Sequence, residues 1–372
     1  MSKRVLITGG AGFIGSHLAD SLLANGYHVR VIDNLAPQVH GERAERPAYL
    51  SRDVEFILGD VRNPAAVRRA LHGVDVVYHL AAIVGVGQSM YEIRRYTDTN
   101  NIGTAVLLEA LIERPVERLI VASSMSIYGE GLYRSADGRV QPGHDRSVAQ
   151  LQAGDWELYD ESGAVLTPVP TPESKTPSLA SLYALNKYDQ EQMCLIIGAA
   201  YRIPTVALRF FNAYGTRQAL SNPYTGVLAI FASRILNGAP PLIYEDGAQM
   251  RDFVSVNDVA QACVLALDSA GAPGHAFNVG SGQAFTVRQT AELACTALGR
   301  PSLEPHITGK YRMGDIRHCF PDISRARDIL GYRPRVRLED GLQDLAGWLE
   351  GQVAVDRVTQ AIGELAARGL TI

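Results

Sequence analysis

The chain has 372 residues, 47% of them hydrophobic and 20% charged, with a formal net charge of −4. That length predicts one large α/β domain with a smaller lobe, or two domains, and the balance excludes disordered and fibrous classes. The mild acidity offers no basic field for nucleic acid, and the lack of a long apolar segment predicts no membrane association and a cytoplasmic location.

Residues 5–8 form an apolar run leading into Gly9-Gly10-Ala11-Gly12-Phe13-Ile14-Gly15, and residues 16–24 suit a helix. Strand, tight turn and helix start in that order make a pyrophosphate cradle. The turn tightens at Gly9, backbone approaches phosphate at Gly12, and the helix packs closely at Gly15. The spacing Gly9-x-x-Gly12-x-x-Gly15 differs from the commoner GxGxxG. The next strand, 28–33, ends in Asp33, eighteen residues after Gly15. A carboxylate there accepts from both hydroxyls of an adenosine ribose and repels a 2′-phosphate, so NAD is expected over NADP.

Strands at 54–58, 74–80 and 117–123 alternate with helices at 64–71 and 91–112. Crossovers of this kind predict a Rossmann-type, doubly wound parallel sheet. From 129 to 182 the pattern breaks into glycine, proline and charge, which reads as an insertion (130–182) over the substrate mouth, partly ordered by Trp156. A helix at 183–201, a strand at 205–210 and a helix at 226–237 follow. Beyond 240, apolar runs at 242–244 and 277–279 with helices at 256–267 and 287–298 predict a smaller mixed α/β lobe. The tail, 352–370, reads as an amphipathic helix. The expected organisation is a dinucleotide-binding region over 1–182, a catalytic helix and the remaining sheet over 183–239, and mainly a substrate-binding lobe over 240–372.

Tyr183 and Lys187 stand four residues apart, hence on one helical face. An ammonium beside a phenol favours the phenolate and predicts a lowered tyrosine pKa. Ser123 and Ser124 end the strand at the edge where a substrate would lie. Cys194, Cys263, Cys295 and Cys319 are widely spaced and read as buried thiols, with no metal site expected.

Together these motifs resemble the extended short-chain dehydrogenase/reductase family, in its nucleotide-sugar epimerase and dehydratase branch. Leu80-Ala81-Ala82, Asn101-Ile102-Gly103-Thr104, Arg209-Phe210-Phe211-Asn212, Arg251-Asp252-Phe253 and Arg312-Met313-Gly314-Asp315 match in order. The resemblance implies catalysis by Ser124, Tyr183 and Lys187. For the cofactor it implies Gly9, Gly12, Phe13, Ile14, Gly15, Asp33, Asn34, Asp60, Val61, Leu80, Ala81, Ala82, Asn101 and Ser123, with Tyr183 and Lys187. For the substrate it implies Ser124, Ser126, Asn212, the diphosphate-binding Arg251, Arg312, Asp315 and, at a position that sets pocket width, Cys319.

Sugar dehydratases of this family carry an Asp-Glu pair after the serine; Met125 and Ser126 stand there, which disfavours elimination. Some related epimerases carry Cys-x-x-Cys in the insertion, where this chain has Tyr159 and Ser162. The expected activity is therefore inversion at carbon 4 of a nucleoside-diphosphate sugar through a transient 4-keto form, with tightly held NAD regenerated each cycle. A 6-deoxyhexose on dTDP, of the L-rhamnose type, or a UDP-hexose is the expected substrate. A 4-ketoreductase or sugar-acid decarboxylase, and a non-catalytic dinucleotide-sensing module, are the alternatives. A homodimer through the helices at 91–112 and 183–201 is also implied.

Overall fold

The computed structural model describes residues 2–42, 44–222, 224–312, 314–350, 352, 356 and 358–371. Seven parallel strands form the central sheet: β1 (Arg4–Thr8), β2 (His28–Asp33), β3 (Glu55–Leu58), β4 (Val76–His79), β5 (Arg118–Ser124), β6 (Thr205–Phe210) and β7 (Ala276–Val279). Their spatial order is β7-β6-β5-β4-β1-β2-β3. The winding reverses at β1, where Val5 pairs with Val29 on one side and Val76 on the other. A crevice for ligand opens beyond the carboxyl ends of strands at such a reversal.

Both faces of the sheet are covered, so the strands are apolar on both sides rather than alternating. Val5, Ile7, Val31 and Tyr78 enter one core, and Leu6, Ile32 and Val77 the other. Helix α1 (Phe13–Ala24) covers the first face, and α2 (Gly103–Glu113) and α3 (Leu182–Tyr201) the second. Helix α4 (Val256–Asp268) returns to the first face, and α5 (Val358–Ala366) closes the chain.

Four expectations need correction. The run at 277–279 does not belong to the lobe: as part of β7 it pairs with β6, Phe277 opposite Leu208, and α4 packs beside α1 in the same core. A fully buried strand carries no alternation to betray its partner, and pairing is not a local property. The helix expected at 91–112 is not continuous. It runs as Ile93–Thr97, a π turn at Asp98–Ile102, and then α2. Asp98, Thr99, Asn100 and Asn101 are poor helix formers, which makes this the place for the extra residue.

The insertion is an ordered small layer, a three-stranded antiparallel sheet of Leu132–Arg134, Val140–Pro142 and Thr167–Val169 with a short helix at Val148–Gln152. Its core is Tyr133, Leu158 and Leu166, whereas Trp156 is only half-buried, its ring 6.2 Å from that of Tyr311. The tail helix spans Val358–Ala366; residues 353–355 and 357 of the expected span lie outside the described residues. Among the described residues no helix is long and apolar enough to cross a membrane.

Candidate active site

The cradle forms where β1 meets α1. Gly9 has φ +68°, and a Cβ there would lie 2.8 Å from the Ala81 backbone, so a side chain is excluded both by conformation and by the chain leaving β4. A Cβ at Gly15 would lie 2.5 Å from Gly10 Cα, which lets α1 sit down on the turn. At Gly12 the nearest atom would be 3.4 Å away, leaving room outside the turn. Gly12 also starts α1 with no side-chain cap, and Phe13 and Ile14 make its first turn, half-buried. Unfilled space and an uncapped helix start fit a dinucleotide pyrophosphate.

Asp33 ends β2 directly beneath this turn. Its carboxylate accepts from Ala11 N at 3.1 Å and Leu35 N at 2.9 Å, with His40 Nε2 3.8 Å away. Asn34, exposed, donates to Asp60, and Arg62 grips the Asp60 carboxylate and holds its pKa down to about 2. Val61 is buried against Gly103, and Leu80, Ala81 and Ala82 line the path from β4, half-buried.

Ser124 closes β5. Its hydroxyl accepts from Ser126 N at 3.2 Å and from the Ser126 hydroxyl at 2.9 Å, and it stands near enough to the Tyr183 phenol to act on its titration. Among the described residues the buried Ser123 hydroxyl has no hydrogen-bond partner, which fits a ligand contact there. Ser181 caps α3 and Ser89 Oγ accepts from Tyr183 N at 3.1 Å, which fixes the first turn carrying the phenol.

The lowered tyrosine pKa is not observed. Burial pushes the Tyr183 phenol above its usual value, and Ser124 opposes this. The reason is geometric: Lys187 Nζ turns to Gln190 Oε1, 2.7 Å away, and burial brings its pKa down to about 8.

Gln190 opens a buried network that the sequence did not announce. Its amide donates to Thr104 Oγ1 at 2.9 Å, the same oxygen lies 2.9 Å from His79 Nε2, and His79 Nδ1 lies 2.8 Å from Thr8 Oγ1. Thr104 donates onward to Asn100 O, and Ala81 N donates to Thr8 Oγ1, so Nε2 of His79 carries the proton. Burial, with the Lys187 charge, holds His79 neutral, its pKa down to about 3. The chain ties the lysine to β1, β4 and the turn at Gly9.

Asn101 is not turned toward this edge. Its amide donates to Asp189 at 2.6 Å, while Asn100, fully buried, exchanges two hydrogen bonds with the Ile83 backbone (2.8 and 3.1 Å) beside Ala82. The π turn shifts the inward face by one residue, so Asn100 replaces Asn101 as the candidate.

On the lobe side Asn212 Oδ1 is buried without a hydrogen-bond partner among the described residues. Cys319 packs with Met125, Tyr128 and Phe211, adjoining Ser124, and burial pushes its thiol up to about 12. Arg312 lies over the Tyr244 ring at 4.3 Å. The Arg251 guanidinium donates to Met250 O, Arg317 O and Ile316 O and faces Asp315 at 3.7 Å, so its donors already hold residues 315–317. Those residues are riveted to the insertion: Arg317, fully buried, meets Glu157, Glu245 and Asp246, and Glu130 accepts from Arg317 N and His318 N.

Residues 5–280 match the NAD dependent epimerase/dehydratase family, and the chain belongs to it. It is similar nearly end to end to a dTDP-L-rhamnose 4-epimerase from Burkholderia thailandensis, 36% identical over 352 residues, 93% of this chain and 95% of that protein. Among solved structures it is similar to the UDP-glucose 4-epimerase of Thermotoga maritima with UDP-glucose (32% identity, TM-score 0.75, 93% of this chain and 98% of that one). A UDP-glucuronic acid 4-epimerase of Bacillus cereus, with UDP-glucuronic acid and NAD, shows 28% identity and a TM-score of 0.76 over 93% of this chain and 99% of that one.

Proposed function

We propose that the protein is an NAD-dependent 4-epimerase of a nucleoside-diphosphate sugar, a dTDP-6-deoxyhexose or a UDP-hexose, acting in the cytoplasm. The observation that carries this is the meeting of Ser124 with the Tyr183 phenol at the carboxyl end of β5, across the crevice from the glycine turn and Asp33. NAD, held there by the glycine turn and Asp33, would supply hydride transfer to and from carbon 4.

The residues of this chain do the rest. Tyr183 takes the proton of the 4-hydroxyl and later returns it; Ser124 holds the sugar oxygen between the two events. A phenol raised by burial is a poor base alone; the oxidised nicotinamide of bound NAD, and Lys187 on the same helical face, would supply the positive charge that brings it down. Asn212 and the 312–319 segment hold the nucleotide sugar, and Cys319, small among larger neighbours, leaves width for the sugar to present either face. With Met125 and Ser126 after Ser124, no acid stands ready to expel a hydroxyl.

Gly9 to Gly15, Asp33, Asn34, Asp60 and Val61 hold the adenosine and pyrophosphate end of the cofactor. Residues 242–255 and 285–319 make the substrate lobe. A dimer forms through the exposed apolar side chains of Ile102, 51% exposed, and Ile196, 62% exposed, on neighbouring helices. Incubation with UDP- and dTDP-sugars without added NADH tests the proposal: interconversion of two epimers supports it, and NADH consumption in step with product favours a reductase.

A further inference from the structure

Residues 358–371 lie beyond the span matched to the family, yet they fold onto three segments within or next to it. Val358, Ala361 and Leu365, spaced along one face of α5, are buried. Leu365 sits against Gly87, where a Cβ would come within 3.3 Å. Two residues further on, Ser89 holds the backbone of Tyr183.

Glu364 gathers two phenols from different parts of the chain. Tyr224 Oη lies 2.8 Å from its carboxylate and 2.7 Å from Tyr91 Oη, which is itself 3.1 Å from the carboxylate. The Arg368 guanidinium lies 4.2 Å from the centre of the Tyr91 ring. At the far end Thr371, nearly buried, forms an antiparallel bridge with Arg312. One short segment thus ties together the turn after β4, the loop before the helix at Val227–Leu236, and the bridge residue Arg312.

We propose that this C-terminal segment is a wall of the sugar-nucleotide site and that Glu364 is a positioning residue, holding Tyr91 and Tyr224 so that the mouth keeps its bound shape. The proposal rests on the epimerase reading. Its consequence is confined to substrate binding, because among the described residues its side-chain hydrogen bonds to the rest of the chain go to Tyr91 and Tyr224 and not to the glycine turn, Asp33 or Lys187.

The test uses the full chain carrying Glu364→Ala, Glu364→Gln or Tyr224→Phe. Glu364→Ala is expected to raise KM for the sugar nucleotide about tenfold while kcat stays within about threefold and NAD content and melting temperature hold. Glu364→Gln, which still accepts a hydrogen bond, is expected to recover most of the loss. An unchanged KM overturns the proposal, as does a parallel fall of kcat, NAD content and melting temperature. If the wild type turned over no sugar nucleotide, the epimerase reading would fail by itself. Calorimetric titration of the holoenzymes with UDP and dTDP would then decide this one, weaker binding by Glu364→Ala upholding the wall and equal binding removing it.

Discussion

Lys187 Nζ donates to Gln190 Oε1 at 2.7 Å, so the ammonium is anchored one turn further along its own helix rather than on Tyr183. Burial depresses the folded pKa of Lys187 from 10.5 to about 8. Between those values the unfolded chain holds a proton that the folded chain has released, so stability rises with pH across the window, and the cost of the buried charge is fully present below it. Melting temperatures of wild type and Lys187→Met, measured near pH 7 and near pH 10, check this. The wild type is expected to gain on the variant as pH rises; a difference that does not move with pH would contradict it.

Tyr183→Phe removes the proton carrier and leaves the aromatic ring, the Ser89 contact and the helix intact. Turnover is expected to fall by ~10²–10⁴ with the dinucleotide still bound, as single-turnover assays and absorbance of released cofactor will show. Activity within a factor of a few of wild type would take Tyr183 out of the mechanism.

Asp33→Asn keeps the size of the side chain and removes its charge. Loss of a charge-assisted bond is worth about 1.5–3 kcal/mol, so NAD affinity is expected to drop roughly ten- to a hundredfold, and the preference over NADP to shrink. Titration of the stripped protein with each dinucleotide measures both.

Ile196→Glu places a charge on the exposed apolar face of α3. Sedimentation is expected to show a dimer for wild type and a monomer for the variant; a wild-type monomer would remove the dimer from the account.

What could be read from the residues was local. Gly9, Gly12 and Gly15 announce their turn through spacing, Asp33 through its place at a strand end, and Tyr183 with Lys187 through one helical turn. Asn100 was hidden because a π turn rotates the inward face by a residue, and hydrophobic periodicity counts in turns of 3.6. The set Thr8, His79, Thr104 and Gln190 joins four distant segments, so no spacing links them. The phenol of Tyr183 was misjudged for a related reason: neighbours in sequence suggested a lysine partner, and the burial that dominates its titration is a property of the whole fold. Arg317 belongs to no motif, and the three carboxylates that close on it come from two distant segments, 157 and 245–246, that only the fold brings together.

The central claim is that hydrogen leaves and returns to one sugar carbon without escaping. A dTDP- or UDP-sugar bearing deuterium at carbon 4, incubated in ordinary water with the protein as purified, tests it by NMR. Two epimers at equilibrium are expected, with deuterium retained at carbon 4 in both. Exchange of that label into water, or NADH accumulating in step with a keto product, would contradict it.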